Sequence, residues 1–95
     1  MYIINISVNP DITPNLQEQL FPRHAAWFHK YYDLGKFLLI GPYSDREHAG
    51  VIIAETETRE ELESILQEDS YYPNSAHYEI REFVPKLIAA KLCNI

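Results

Sequence analysis

Apolar residues recur along this chain in two rhythms, and the rhythm changes wherever turn chemistry intervenes. Tyr2-Ile3-Ile4-Asn5-Ile6-Ser7-Val8 is rich in β-branched residues and partly alternates, which predicts a strand. Asn9-Pro10-Asp11 ends it. Thr13 followed by Pro14 reads as an N-cap and a first-turn proline. Leu16, Leu20, His24, Trp27, Phe28 and Tyr31 then fall at helical spacings. Pro22 lies inside that span, so the helix is expected either to kink there or to divide near Phe21. Gly35, after Leu34, supplies the left-handed stop.

The second half repeats the pattern. Lys36-Phe37-Leu38-Leu39-Ile40 predicts a strand closed by a turn at Gly41-Pro42, and the polar segment 43–48 a hairpin loop. Gly50-Val51-Ile52-Ile53-Ala54-Glu55 predicts the third strand. Thr58-Arg59-Glu60-Glu61 matches a capping box, in which hydroxyl and carboxylate satisfy amides at a helix start. The helix that follows should bury Leu62, Ile65 and Leu66, with Asp69 continuing the same face. After an irregular turn at 71–75, His77 to Val84 alternates as a fourth strand, and Lys86 to Leu92 predicts a short terminal helix.

The order β-α-β-β-α-β, without repeat or linker, predicts one domain over residues 1–95. Two β-α-β units sharing a four-stranded antiparallel sheet, with both helices on one face, give an α+β, ferredoxin-like fold. The two middle strands are apolar on both faces: Leu38, Ile40, Ile52 and Ala54 on one, Phe37, Leu39, Val51 and Ile53 on the other. Such strands expect cover on both sides, and a second copy of the chain is the simplest cover.

Composition narrows the function. A net charge of −6, with no Lys/Arg cluster, argues against nucleic acid. No apolar run approaches membrane-spanning length, and the N-terminus lacks the features of a signal peptide. Cys93 is the one cysteine and has no intrachain partner. Together these features predict a cytoplasmic protein.

The chemistry sits on the helix stripes. His24 and Asp69 are polar, titratable residues on two apolar faces, and burying such groups unpaired is costly. Two readings stay open for each. His24 is either a proton-transfer group or a core histidine with both nitrogens satisfied. Asp69 orients His24, caps the turn at 70–72, or does both, since a carboxylate has two oxygens. Trp27, Phe28, Tyr31 and Phe37 read as core. Tyr43, Tyr71 and Tyr72 lie in loops, where they either pack at the surface or contact a ligand. His29, His48 and His77 show no metal-ligand spacing.

His24, Gly35, Gly41-Pro42, Gly50, and Asp69 with its following aromatic residues resemble, in order and spacing, the YciI-like family. That family lies within the dimeric α/β-barrel group of ferredoxin-like proteins, which also includes muconolactone isomerase. The resemblance covers roughly residues 2 to 85. It implies a homodimer and a cofactor-independent, metal-free enzyme acting on a small molecule by isomerisation or elimination, as in a related dehydrochlorinase. It also implies His24 and Asp69 as the catalytic pair, with Gly41, Pro42, Tyr43 and Tyr71 near the substrate. Two positions depart from the pattern. Phe21 stands where the family often has arginine, and Ser70 follows the aspartate where proline is usual. The alternative is a non-catalytic dimeric module, for a small ligand or a protein, in which His24 and Asp69 form a structural hydrogen bond. Space discriminates the two: an enzyme needs a polar cavity beside His24, open to solvent, whereas a structural pair would be packed over.

Overall fold

Thr13 starts the first helix through its hydroxyl oxygen, which accepts the Leu16 amide at 3.2 Å, with Pro14 in the first turn. The computed structural model describes residues 1–94. Its elements are β1 (Tyr2–Val8), α1 (Pro14–Asp33), β2 (Phe37–Pro42), β3 (Ala49–Ala54), α2 (Arg59–Leu66) and β4 (Ala76–Glu82), followed by a 3₁₀ turn at Ala90–Asn94. The sheet order is β2-β3-β1-β4 and every pairing is antiparallel, which is the ferredoxin-like arrangement. No helix among the described residues is long and apolar enough to cross a membrane.

Helix α1 runs unbroken through Pro22, so the chain is not divided near Phe21. Gly35 ends it at φ +77°, a left-handed conformation that favours glycine. Helix α2 opens on the expected cap: the Thr58 hydroxyl accepts the Glu61 amide at 3.1 Å. The Glu61 carboxylate reaches one residue further back than in an ordinary box and accepts the Glu57 amide at 3.0 Å.

The core lies between the helices and one sheet face. Tyr2, Ile4, Ile6, Phe37, Ile52 and Ala54 point from the sheet toward Trp27 and Tyr31 of α1 and Leu62, Ile65 and Leu66 of α2. Trp27 locks the helices together by donating its indole N–H to the Ile65 carbonyl at 2.8 Å, beyond its apolar burial. The face assignment of the second strand needs correcting. A bulge between Phe37 and Leu39 leaves Leu38 without a partner, so Phe37 joins Ile40 on the helix side and Leu39 turns to the opposite face. One extra residue reverses the alternation, and periodicity in the sequence does not reveal it.

Gly41-Pro42 is not a closing turn. Both residues belong to β2 and pair with Val51 and Gly50 of β3. Proline is tolerated because β2 is an edge strand, where a missing N–H costs no ladder bond. The backbones approach closely there: a Cβ on Gly50 would lie 2.8 Å from the Gly41 carbonyl oxygen. Gly50→Ala should therefore force β2 from β3 and cost about 1–3 kcal/mol, as overpacking does. Urea unfolding would measure this loss, and a neutral result would refute the close approach. The terminal helix is also corrected. Residues 83–89 are non-helical and only a 3₁₀ turn follows; residues 86–94 are exposed, so no buried face stabilises a helix of that length.

Candidate functional site

His24 sits midway along α1 with its ring among aromatic neighbours. The Phe28 and Tyr71 rings meet it edge-on at 5.3 and 5.1 Å, and Trp27 lies at 5.5 Å. These contacts leave the imidazole little freedom to turn. Its Nδ1 stands 2.7 Å from Asp69 Oδ1. Asp69 follows α2 in a turn whose amide donates to the Leu66 carbonyl at 3.1 Å. The turn is tied to α1 by the Ser70 hydroxyl, which donates to the Leu20 carbonyl at 2.7 Å. The Asp69 side chain is wholly buried, and its two oxygens serve His24 and Tyr78. Among the described residues the Asp69 side chain bonds these two side chains, and the turn closes through the Asp69 backbone carbonyl, which accepts the Tyr72 amide at 3.0 Å.

Tyr78 went unassigned in the sequence. It comes from β4 and donates its hydroxyl to Asp69 Oδ2 at 2.5 Å. Burial first, then the bond to Asp69 and its charge, push the Tyr78 hydroxyl far above the usual phenol range. It therefore stays protonated, and its donation to Oδ2 holds the carboxylate in one orientation. A signal for it existed: an inward-facing tyrosine on a strand needs a partner for its hydroxyl.

Tyr78→Phe should cost about 1–3 kcal/mol, because the buried Oδ2 loses its donor. The pH dependence has a definite sign. A phenol raised in the folded state contributes stability that is fully present below the unfolded value of about 10 and fades as pH rises beyond it. Urea midpoints from pH 7 to 11 should fall along the alkaline limb, and less steeply for Tyr78→Phe. Parallel alkaline limbs would contradict the buried phenol.

Beside His24 opens a cavity of about 720 Å³, between α1, the β2–β3 hairpin and its loop. Phe21, Phe28, Ile40 and Ile52 provide apolar walls. With Nδ1 bound to the aspartate, Nε2 is the ring nitrogen left to meet a ligand. The structure brings Gly41, Pro42, Tyr43 and Tyr71 to the same cavity. Their hydroxyls are committed elsewhere: Tyr71 donates to Gln17 Oε1 at 2.6 Å, and Tyr43 donates to Asn5 Oδ1. Tyr71 is also buried rather than a surface residue, at 1% exposure. Burial, with the Asp69 charge adding to it, raises the Tyr71 hydroxyl as well. Tyr72 instead remains outside the cavity, against Tyr78. Phe28, read as core, proves to be a cavity wall.

The chain can now be set beside known proteins. The family model of the YCII-related domain matches residues 1–85. No curated protein matches the chain in sequence. Among solved structures it is similar to 5-chloro-2-hydroxyhydroquinone dehydrochlorinase from Burkholderia phenoliruptrix, in complex with 2,5-dihydroxybenzoquinone. That likeness has a TM-score of 0.67 at 13% identity and covers 88% of this chain and 94% of the other. It speaks to the fold.

Proposed function

We infer the function from one premise: the chain belongs to the YCII-related domain family. The reading is a small-molecule enzyme that uses no metal or nucleotide, with His24 as the proton-transfer group and Asp69 as its orienting partner. One observation carries it: His24, paired with the buried Asp69 at 2.7 Å, lines a cavity of about 720 Å³. A purely structural pair would be packed over, whereas this volume suits a small organic ligand. With Asp69 ionised, Nδ1–H donates to it, and the Nε2 lone pair faces the ligand as a base.

The apolar walls suit a cyclic or phenolic substrate, with the Tyr71 ring and the Gly41-Pro42-Tyr43 backbone around it. Nε2 takes a proton as a C–H or O–H bond breaks, and Asp69 stabilises the imidazolium. In an isomerisation the proton returns to a different atom. In an elimination the electron pair forms a double bond, and a leaving group departs with its own pair. The structural neighbour is a dehydrochlorinase holding a dihydroxybenzoquinone, which favours the elimination branch for this chain too.

The reading includes a homodimer. Ile3, Leu39, Val51 and Ile53 leave an apolar, half-buried patch on the face away from the helices. A second copy covering it would bury above roughly 1,200 Å² in total.

Binding of 2,5-dihydroxybenzoquinone and of chlorinated hydroquinols, followed by titration calorimetry, tests the reading. Saturable binding is expected, with chloride release from the chlorinated probes. Equal binding by His24→Ala, or no binding across the panel, would overturn it.

A further inference from the structure

Gln17 and His24 stand two turns apart on one face of α1, and both line the cavity. Tyr71 links them. Its ring meets the His24 imidazole edge-on, and its hydroxyl donates to Gln17 Oε1 at 2.6 Å. Burial, with the Asp69 charge, raises that phenol, so it keeps its proton. With Oε1 turned to the phenol, Gln17 Nε2 faces His48 Nδ1 at 3.4 Å. His48 belongs to the β2–β3 loop and lines the same cavity. Long contacts of this kind are common at unliganded sites and shorten on binding.

The contact fixes a tautomer. An amide NH₂ can only donate, so His48 Nδ1 accepts and its Nε2 carries the ring proton. His24 is the opposite case: Nδ1–H donates to Asp69, and Nε2 holds the lone pair. One cavity thus presents two imidazoles of opposite sense, a base on the helix and a donor on the loop. The backbone points the same way. His48 sits at φ 54°, a left-handed conformation that is uncommon outside glycine. Its carbonyl accepts the Val8 amide at 2.9 Å, which ties that conformation to β1. A side chain held where glycine would fit more easily is a pointer to function.

We propose that His48 is the electrophile of the reaction, its Nε2–H donating to the substrate oxygen on which negative charge builds, with Gln17 as its positioning residue. The proposal rests on the base assigned to His24 above and adds a second requirement on the substrate. His24 Nε2 takes the proton. The electron pair that held it moves through conjugation onto an acceptor oxygen. His48 stabilises that oxyanion and keeps its own proton, as a neutral imidazole can. In an isomerisation the pair returns from the oxygen to bind the proton at another atom. In an elimination it returns and expels the leaving group, which departs with its own pair. The substrate is therefore a small ring that carries a carbonyl or phenolic oxygen conjugated to, and apart from, the proton it loses.

Glycine suits φ 54°, so His48→Gly removes the imidazole and keeps the loop. Chloride release from chlorinated hydroquinols should show kcat about 10- to 10²-fold lower in this variant, with KM within about threefold. An unchanged kcat, or a change in KM alone, overturns the electrophile and leaves the His24 reading standing. Gln17→Glu tests the positioning. Its carboxylate still accepts from Tyr71 and still meets His48, but it cannot donate, so the ring proton moves to Nδ1 and the donor is lost. At about pH 9, above ordinary imidazole titration, its kcat should fall as in His48→Gly. A merely structural bridge would leave that kcat unchanged, which overturns Gln17 as a positioning residue. Proton–nitrogen NMR of the unaltered chain reads the tautomers directly. Nε2–H at His48 beside Nδ1–H at His24 is expected, and Nδ1–H at His48 overturns the proposal whatever the activity. No binding by the unaltered chain across the panel overturns both readings.

Discussion

Asp69→Asn should lower turnover about 10²- to 10⁴-fold while leaving the protein folded. The argument turns on acceptors. The buried carboxylate accepts from the Tyr78 hydroxyl with one oxygen and faces His24 Nδ1 with the other. An amide has a single acceptor oxygen and cannot serve both donors. If its oxygen faces Tyr78, its NH₂ faces Nδ1, the imidazole proton moves to Nε2, and the base is lost. If its oxygen faces His24, Tyr78 loses its acceptor, and the imidazolium still lacks a negative partner. Both arrangements slow proton transfer. His24→Ala should abolish turnover at a smaller cost in stability, because it opens Asp69 to a cavity that water can fill. Chloride release from a chlorinated hydroquinol, measured beside thermal melts, provides the check. An unchanged kcat/KM for Asp69→Asn would end the catalytic reading of the pair.

Leu66→Ala should do the reverse, destabilising the protein by about 2–5 kcal/mol while sparing the chemistry below the melting point. Leu66 is 2% exposed among Leu62, Ile65 and Trp27, so truncation leaves a cavity and removes its packing contacts. In a domain of this size each kcal/mol moves the melting temperature by about 4–8 °C, so the expected fall is about 8–40 °C. That is a large part of the 5–15 kcal/mol that holds typical proteins folded. Calorimetry of the variant would measure it, and a shift under about 4 °C would mean that α2 does not pack as described. The two variants thus separate site from scaffold although Leu66 and Asp69 are only three positions apart.

Much of this architecture was legible in the amino-acid sequence, because local pattern encodes it. Thr13-Pro14, the Thr58–Glu61 box and Gly35 act within a few residues of themselves, so their effects follow without a fold. His24 and Asp69 stood out for a related reason: a titratable group on an apolar stripe demands a partner, and each was the other's best candidate. Other features depended on chain segments distant in sequence. The bulge at Leu38 is a mismatch between β2 and β3, invisible in either strand alone. Gly41 and Pro42 join the sheet only because β2 lies at its edge. Tyr78 reaches Asp69 because β4 pairs with β1 beneath the turn that follows α2. The cavity exists because the hairpin loop and α1 stand apart over the sheet, a spacing set by packing. Short-range chemistry determined which elements form and which residues needed partners. The tertiary structure decided who those partners are, because a hydrogen bond or a void depends on positions that only the packed chain brings together.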